Sequence, residues 1–173
     1  NITASKISES LFYPVPEDFE KAWGTINSLL PRATAALVGC GMGWNKFTQK
    51  IVYKLVRESK IPLIIDADGI NVISENIDIL KEAKSDIILT PHIKEMSRLL
   101  GEDINYVLKN KFEVAKNFSK KYNLTLVLKD SQTVISDTNG HLYLNSTGNE
   151  SMAKGGTGDV LAGIIGSLAA QGV

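Results

Sequence analysis

The sequence predicts an α/β fold, a mainly parallel sheet with helices on both faces and one antiparallel hairpin. Three observations carry that reading. Short apolar runs without polar alternation, the mark of strands buried on both faces, are separated by helical segments. Polar or glycine-rich clusters follow these runs, where the carboxyl ends of parallel strands would emerge. Late in the chain, Asp137-Thr138-Asn139-Gly140 separates two short runs and reads as a hairpin turn.

Taken in order, residues 1–13 are polar and lack clear periodicity. Pro14 and Pro16 set up a helix start at Glu17-Asp18. Phe19, Trp23, Ile26 and Leu30 then recur at helical steps as far as Pro31. The run 35–38 is a strand opening into GCGMGWN, and a helix is expected over 46–59. A strand over 61–65 ends in DADGIN, with Asp66 and Asp68 at its carboxyl end; a helix over 70–81 and a strand over 87–89 ending in TPH follow. Residues 95–100 read as a short helix closed by Gly101, and residues 104–122 as one longer helix with Val107, Leu108, Phe112, Ala115 and Phe118 on its apolar side. A strand over 124–128 ends in Lys129-Asp130, and strands over 133–136 and 141–145 form the hairpin. The chain closes on a glycine-rich turn and an apolar helix over 160–170.

Composition narrows the function classes. The 173 residues, 43% of them apolar, suit one domain with a sizeable core. Nineteen basic residues balance nineteen acidic ones, so no net positive field points to nucleic acid or an anionic membrane. No apolar run approaches the roughly 20 residues of a membrane span, and Cys40, the only cysteine, fits a reducing, cytoplasmic setting. His92 and His141 lie far apart, with no zinc-ligand spacing.

The densest chemistry lies over 145–170. Gly155, Gly156 and Gly158 flank Thr157 and precede Asp159 at the start of an apolar helix. A helix start presents unpartnered N–H groups and the positive end of the dipole, so the stretch is either an anion site or a glycine turn with Asp159 as an ordinary N-cap. In GCGMGW the third glycine of a dinucleotide fingerprint is replaced by Trp44, and no GxxxxGK[ST] occurs. Gly41 and Gly43 bring their backbone close to a ligand or merely make a tight turn. Lys129 meets a phosphate or lies along the sheet edge. His92 orients a substrate or is a structural histidine. Asp66 and Asp68 hold a cation through water or cap a helix. Cys40 reads as a small apolar residue rather than a nucleophile.

The ordered motifs VGCGMG, DADGIN, LTPHIKE, LVLKDSQTVI and NESMAKGGTGDVLAGIIGSLAAQG resemble the NAD(P)H-hydrate dehydratase family of the ribokinase-like superfamily, over about residues 35–172. The resemblance implies a three-layer α/β/α sandwich and the repair of hydrated NADH or NADPH, with ADP or ATP consumed and Mg2+ present. It places hydrate contacts on Gly43, His92 and Asp159, with Asp159 as the group that accepts the hydroxyl proton. The adenine nucleotide would meet Lys129, Asp130, Ser131, Gln132, Thr133 and Gly158, and the backbone of Gly156 and Thr157 would lie along the transferring phosphoryl group. The family usually has glycine at Asp130, so that side chain either points away from phosphate or bridges to it through a cation. It usually has Asn-Pro-Gly where this chain reads Asn149-Glu150-Ser151. Family members carry further segments on both sides, so a single domain incomplete at both ends is expected, as is a homo-oligomer. A small-molecule kinase of the same superfamily, or a nucleotide-binding module or inactive fragment, are the alternatives.

Overall fold

The computed structural model describes residues 10–152 and 154–173. Most of the polar opening stretch, and Ala153 ahead of the glycine turn, lie outside the described residues. The chain divides into two compact units, Asn1–Arg32 and Ala33–Val173. In the first, α1 (Phe19–Leu29) starts where Asp18 accepts a hydrogen bond from the Lys21 N–H, as an N-cap should. Pro31 sits in the 3-10 turn Leu30–Arg32 that follows.

The second unit is a six-stranded sheet in sequential order. Strands β1 (Ala36–Val38), β2 (Leu63–Ile65), β3 (Ile87–Leu89) and β4 (Thr125–Leu128) are parallel; β5 (Thr133–Ser136) and β6 (Leu142–Asn145) run antiparallel as the hairpin. The helices are α2 (Lys46–Glu58), α3 (Asp68–Ser74), α4 (Ile93–Leu100), α5 (Ile104–Lys109), α6 (Lys111–Tyr122) and α7 (Thr157–Ala170). Side-chain alternation gives the layers. Val38, Ile65, Leu89, Leu126 and Ser136 are in register and share one face, where Ser119 of α6 meets Ser136 through a 2.7 Å hydroxyl contact. Ile64 points to the other face, where its Cδ1 lies 3.9 Å from where a Cβ on Gly166 of α7 would be. Helices therefore cover both sides of a mainly parallel α/β sheet. Leu63, Ile64, Ile65, Leu89, Leu126 and Leu128 are fully buried, each stabilising the fold by roughly 1.5–3 kcal/mol.

Two expected helices are broken. Instead of one helix over 70–81, α3 ends at Ser74, whose hydroxyl donates back to the Asn71 carbonyl, and a 3-10 segment Ile77–Glu82 follows Asn76 at φ −155°. The helix expected over 104–122 is two, because Asn110 leaves helical geometry (φ −119°, ψ 25°) and its amide donates to the Tyr106 carbonyl. Apolar periodicity runs through both breaks, which fall where the backbone leaves helical geometry at Asn76 and Asn110. The closing helix begins earlier than expected, at Thr157, with Gly156 (φ 89°) at its N-cap and Asp159 inside the first turn rather than capping it. Of its residues only Ala162 is fully buried, while Val160, Ile164 and Leu168 face outward.

Candidate active site

Hydrogen bonding beyond the strands sets the chemistry-bearing residues at one level. The Asp66 N–H donates to Val38 O, the Thr90 N–H to Ile65 O and the Lys129 N–H to Pro91 O. His92 and Lys129 pair as an isolated parallel bridge. Residues following β1, β2, β3 and β4 thus line one edge, against which the first turn of α7 is laid.

The centre of that edge is an ion pair. Lys129 Nζ donates to Asp66 Oδ1 at 2.7 Å, with the Asp66 side chain 3% exposed and that of Lys129 20% exposed. Gly158 of α7 lies directly above: a Cβ there would sit 3.7 Å from Lys129 Nζ and 3.9 Å from Asp66 Oδ2. Cys40, Asp66 and Asp159 each bring one ligand-type atom within 4.8 Å of the others. Burial, then the hydrogen bond to Asp159 and the charges of Asp66 and Asp159, push the Cys40 thiol up to about 11, against the pull of Lys129. The thiol stays protonated at neutral pH, which agrees with the non-nucleophile reading, although it faces carboxylates and not an apolar core.

The flanking groups are tied in from the side. His92 caps α4: its Nδ1 accepts from the Glu95 N–H at 3.1 Å, and Glu95 Oε2 accepts from the His92 N–H at 2.8 Å. Because a backbone N–H can only donate, neutral His92 carries its ring proton on Nε2, on a side chain 49% exposed. Burial raises the Glu95 carboxyl above the usual carboxylate range, opposed by the His92 N–H and by the charges of His92 and Lys129. Gly43 donates its N–H to Asp68 Oδ2 at 2.7 Å, which leaves its Cα and carbonyl for any ligand. Gly41 (φ 67°) is exposed with open space around it.

The structure brings Asp66, Lys129, Gly158, Asp159 and Cys40 together and sets His92 beside Lys129. Asp130 turns away, its Oδ2 accepting from Lys111 Nζ at 2.7 Å. Burial pushes the Asp130 carboxyl up, but Lys111 and the Ser131 N–H outweigh it and hold it below the usual range. Ser131 and Gln132 are exposed, Thr133 is half-buried, and Gly156 is exposed beside Thr157, whose hydroxyl donates to the Lys154 carbonyl. The departure at Asn149-Glu150-Ser151 is a 3-10 turn over Glu150–Met152, in which Asn149 Oδ1 accepts from the Ser151 N–H. Neither sequence reading of Asp66 and Asp68, cation ligands or helix caps, anticipates their partners Lys129 and Gly43. Glu95 and Gly39 escape it too. Gly39 (φ +118°) has its absent Cβ 1.9 Å from Asp66 O and 2.6 Å from the Gly69 N, so only glycine fits. A glutamate three residues after a possible N-cap is the signal that could find Glu95.

Parallel strands, carboxyl-end loops and a glycine turn at a helix start define the class of open α/β sheets whose ligands are generally found at the carboxyl ends of the strands. A ribokinase-like superfamily protein from Enterococcus faecalis shares this fold, with a TM-score of 0.72, 31% identity and coverage of 88% of this chain and 52% of that one. The sequence pattern of the NAD(P)H-hydrate dehydratase family matches residues 3–173, and the chain belongs to that family. It is 33% identical, over 99% of its own length and 33% of the relative's, to the bifunctional NAD(P)H-hydrate repair enzyme Nnr of Moorella thermoacetica. A Bacillus subtilis ADP/ATP-dependent NAD(P)H-hydrate dehydratase, co-crystallised with ATP/Mg2+, superposes with a TM-score of 0.69 at 33% identity, covering 79% of this chain and 47% of that one. The chain thus spans about a third of the bifunctional relative and about half of each solved structure. No helix among the described residues is long and apolar enough to cross a membrane.

Proposed function

We propose that the protein dehydrates the hydrates of NADH and NADPH back to the reduced cofactors, at the expense of ADP or ATP. The observation that carries this reading is the Asp66–Lys129 pair beneath the Gly156–Asp159 turn, in a chain of this family. It puts a fixed cation, a helix start and an exposed carboxylate at one place.

In this reading the hydroxyl of the hydrate attacks the terminal phosphoryl group of the nucleotide and gives its proton to Asp159. Lys129 and the first N–H groups of α7 hold the charge on the phosphoryl oxygens, which is the main task in such a transfer. The phosphorylated hydrate then expels phosphate, with electron push from the ring nitrogen and loss of a ring proton. The net result is reduced cofactor, phosphate and a nucleotide shortened by one phosphate. His92, with its proton on Nε2, offers a hydrogen bond to an oxygen of the hydrate. Asp66 Oδ2 and Asp159 are oxygen donors of the kind that hold Mg2+ together with waters, and Cys40 sulfur is not. Magnesium bound there would neutralise phosphate charge. A cytoplasmic homo-oligomer goes with this reading; the lone Cys40, which can form no internal disulfide, supports the compartment.

The test is recovery of reduced-cofactor absorbance from its hydrate, with magnesium and with ADP, ATP or no nucleotide. Recovery that requires nucleotide supports the reading. A stable phosphorylated product without recovery would identify a small-molecule kinase, and nucleotide binding with neither would identify a binding module.

A further inference from the structure

The DADG turn contains a backbone outlier. Ala67 has φ 49° and ψ −119°, a region that a residue with a Cβ enters only at a cost and keeps only where its surroundings fix it. The other described non-glycine residue at positive φ, Asn123 (φ 50°, ψ 56°), sits in the ordinary left-handed region at the end of α6, where asparagine is common. Ala67 has no such explanation. It stands at the N-cap of α3, and no side-chain bond satisfies that helix start.

Its two neighbours have distant partners. Asp66 Oδ1 accepts from Lys129 Nζ, 63 residues away in sequence, and Asp68 Oδ2 accepts from the Gly43 N–H, 25 residues away, both at 2.7 Å. The backbone between them is clamped from β1: the Asp66 N–H donates to Val38 O, and Gly39 packs against Asp66 O and the Gly69 N with no room for a Cβ. A relaxed backbone at Ala67 would turn one of the carboxylates away from its partner.

We propose that Asp66-Ala67-Asp68 is one positioning element serving both halves of the site. Asp68 fixes the loop of Gly41 and Gly43 against the hydrate, Asp66 fixes Lys129 against the nucleotide phosphates, and the strained Ala67 peptide holds the two carboxylates at their separate tasks. The assignment of ligands to the two arms rests on the function proposed above; the strain at Ala67 does not. Neither aspartate need touch a ligand for this role, since each acts through the group it holds.

Calorimetric binding of ADP without magnesium, so that Asp66 is read only through Lys129, and of NADH hydrate, separates the arms. Asp68→Ala is expected to weaken the hydrate about tenfold and leave ADP unchanged, and Asp66→Ala to weaken ADP about tenfold and leave the hydrate unchanged, the loss of one charge-assisted hydrogen bond in each case. Asp68→Asn and Asp66→Asn, which keep an accepting oxygen, are expected to restore most of each loss. Should Asp66→Ala not fold, Lys129→Gln tests the same arm. Ala67→Gly relieves the strain and is expected to raise Tm by about 2–4 °C while weakening both ligands. Equal effects of the two aspartate variants on both ligands, or no rescue by the asparagines, would overturn the two-armed element. A lower Tm for Ala67→Gly would overturn it whatever the ligands do. Failure of the wild-type chain to bind hydrate would instead count against the proposed function, and the melting comparison would still decide the strain.

Discussion

Replacing Lys129 by methionine removes the cation from a carboxylate that has almost no access to water. Asp66 is 2% exposed, and its Oδ1 has Lys129 Nζ at 2.7 Å. Removing one partner of a buried pair usually costs 3–5 kcal/mol, because the remaining charge is left uncompensated. Lys129 is itself a fifth exposed and water reaches its end of the pair, so the expected cost lies at the low end, about 3 kcal/mol. For a chain of this size that is a fall in Tm of roughly 6–12 °C. The double variant Asp66→Asn/Lys129→Met leaves no unpaired charge and is expected to recover more than half of the loss. Urea denaturation followed by circular dichroism measures all three proteins and closes the double-mutant cycle. A loss below about 1 kcal/mol in Lys129→Met, the size of an exposed pair, would refute the buried-pair account. So would a double variant no more stable than Lys129→Met.

Two further predictions test the geometry around that pair. With its thiol raised from 9.0 to about 11, Cys40 is protonated at neutral pH, so alkylation by iodoacetamide should be about 100-fold slower at pH 7.5 than for an ordinary thiol and should keep rising towards pH 11. A rate that levels off near pH 9 would contradict the environment described. Glycine-to-alanine changes in the first loop should differ sharply. Gly39→Ala drives a Cβ to 1.9 Å from Asp66 O and should cost about 3 kcal/mol or more, while Gly41→Ala, in open space at φ 67°, should cost only about 1–2 kcal/mol. Equal melting temperatures for the two variants would show that the contact between Gly39 and the DADG turn is loose.

The sheet was legible because its strands are short, apolar on both faces and punctuated by polar clusters. The hairpin was legible because Asn139-Gly140 marks its turn. Helix breaks after Ser74 and at Asn110 were not, since hydrophobic periodicity continues through both and the backbone departures fall on Asn76 and Asn110, a residue type that also occurs within helices. Strand ends pointed to residues that the fold brings together, Asp66 and Lys129 among them, but not to their partners. The pairing of Asp66 with Lys129 spans 63 residues and depends on register across β2, β3 and β4, which no local pattern encodes. Asp130 was visible as a departure from its family, and only the fold supplies Lys111 as the group that turns it away from Lys129's side of the loop. Ala67 carries no composition signal, because alanine is not a residue from which a positive φ is expected.

The most direct measurement is the Asp159→Asn variant in the hydrate-recovery assay with magnesium and ADP or ATP. Asp159 lies in the first turn of α7 and is exposed, so the variant should keep the wild-type melting temperature to within about 0.5 kcal/mol of stability. It should lose at least about a hundredfold in the rate of nucleotide-dependent recovery, the contribution typical of a positioned proton acceptor. Recovery at the wild-type rate by a folded Asp159→Asn protein would contradict the role given to Asp159, and with it the account of the glycine turn as the place where the hydroxyl is activated.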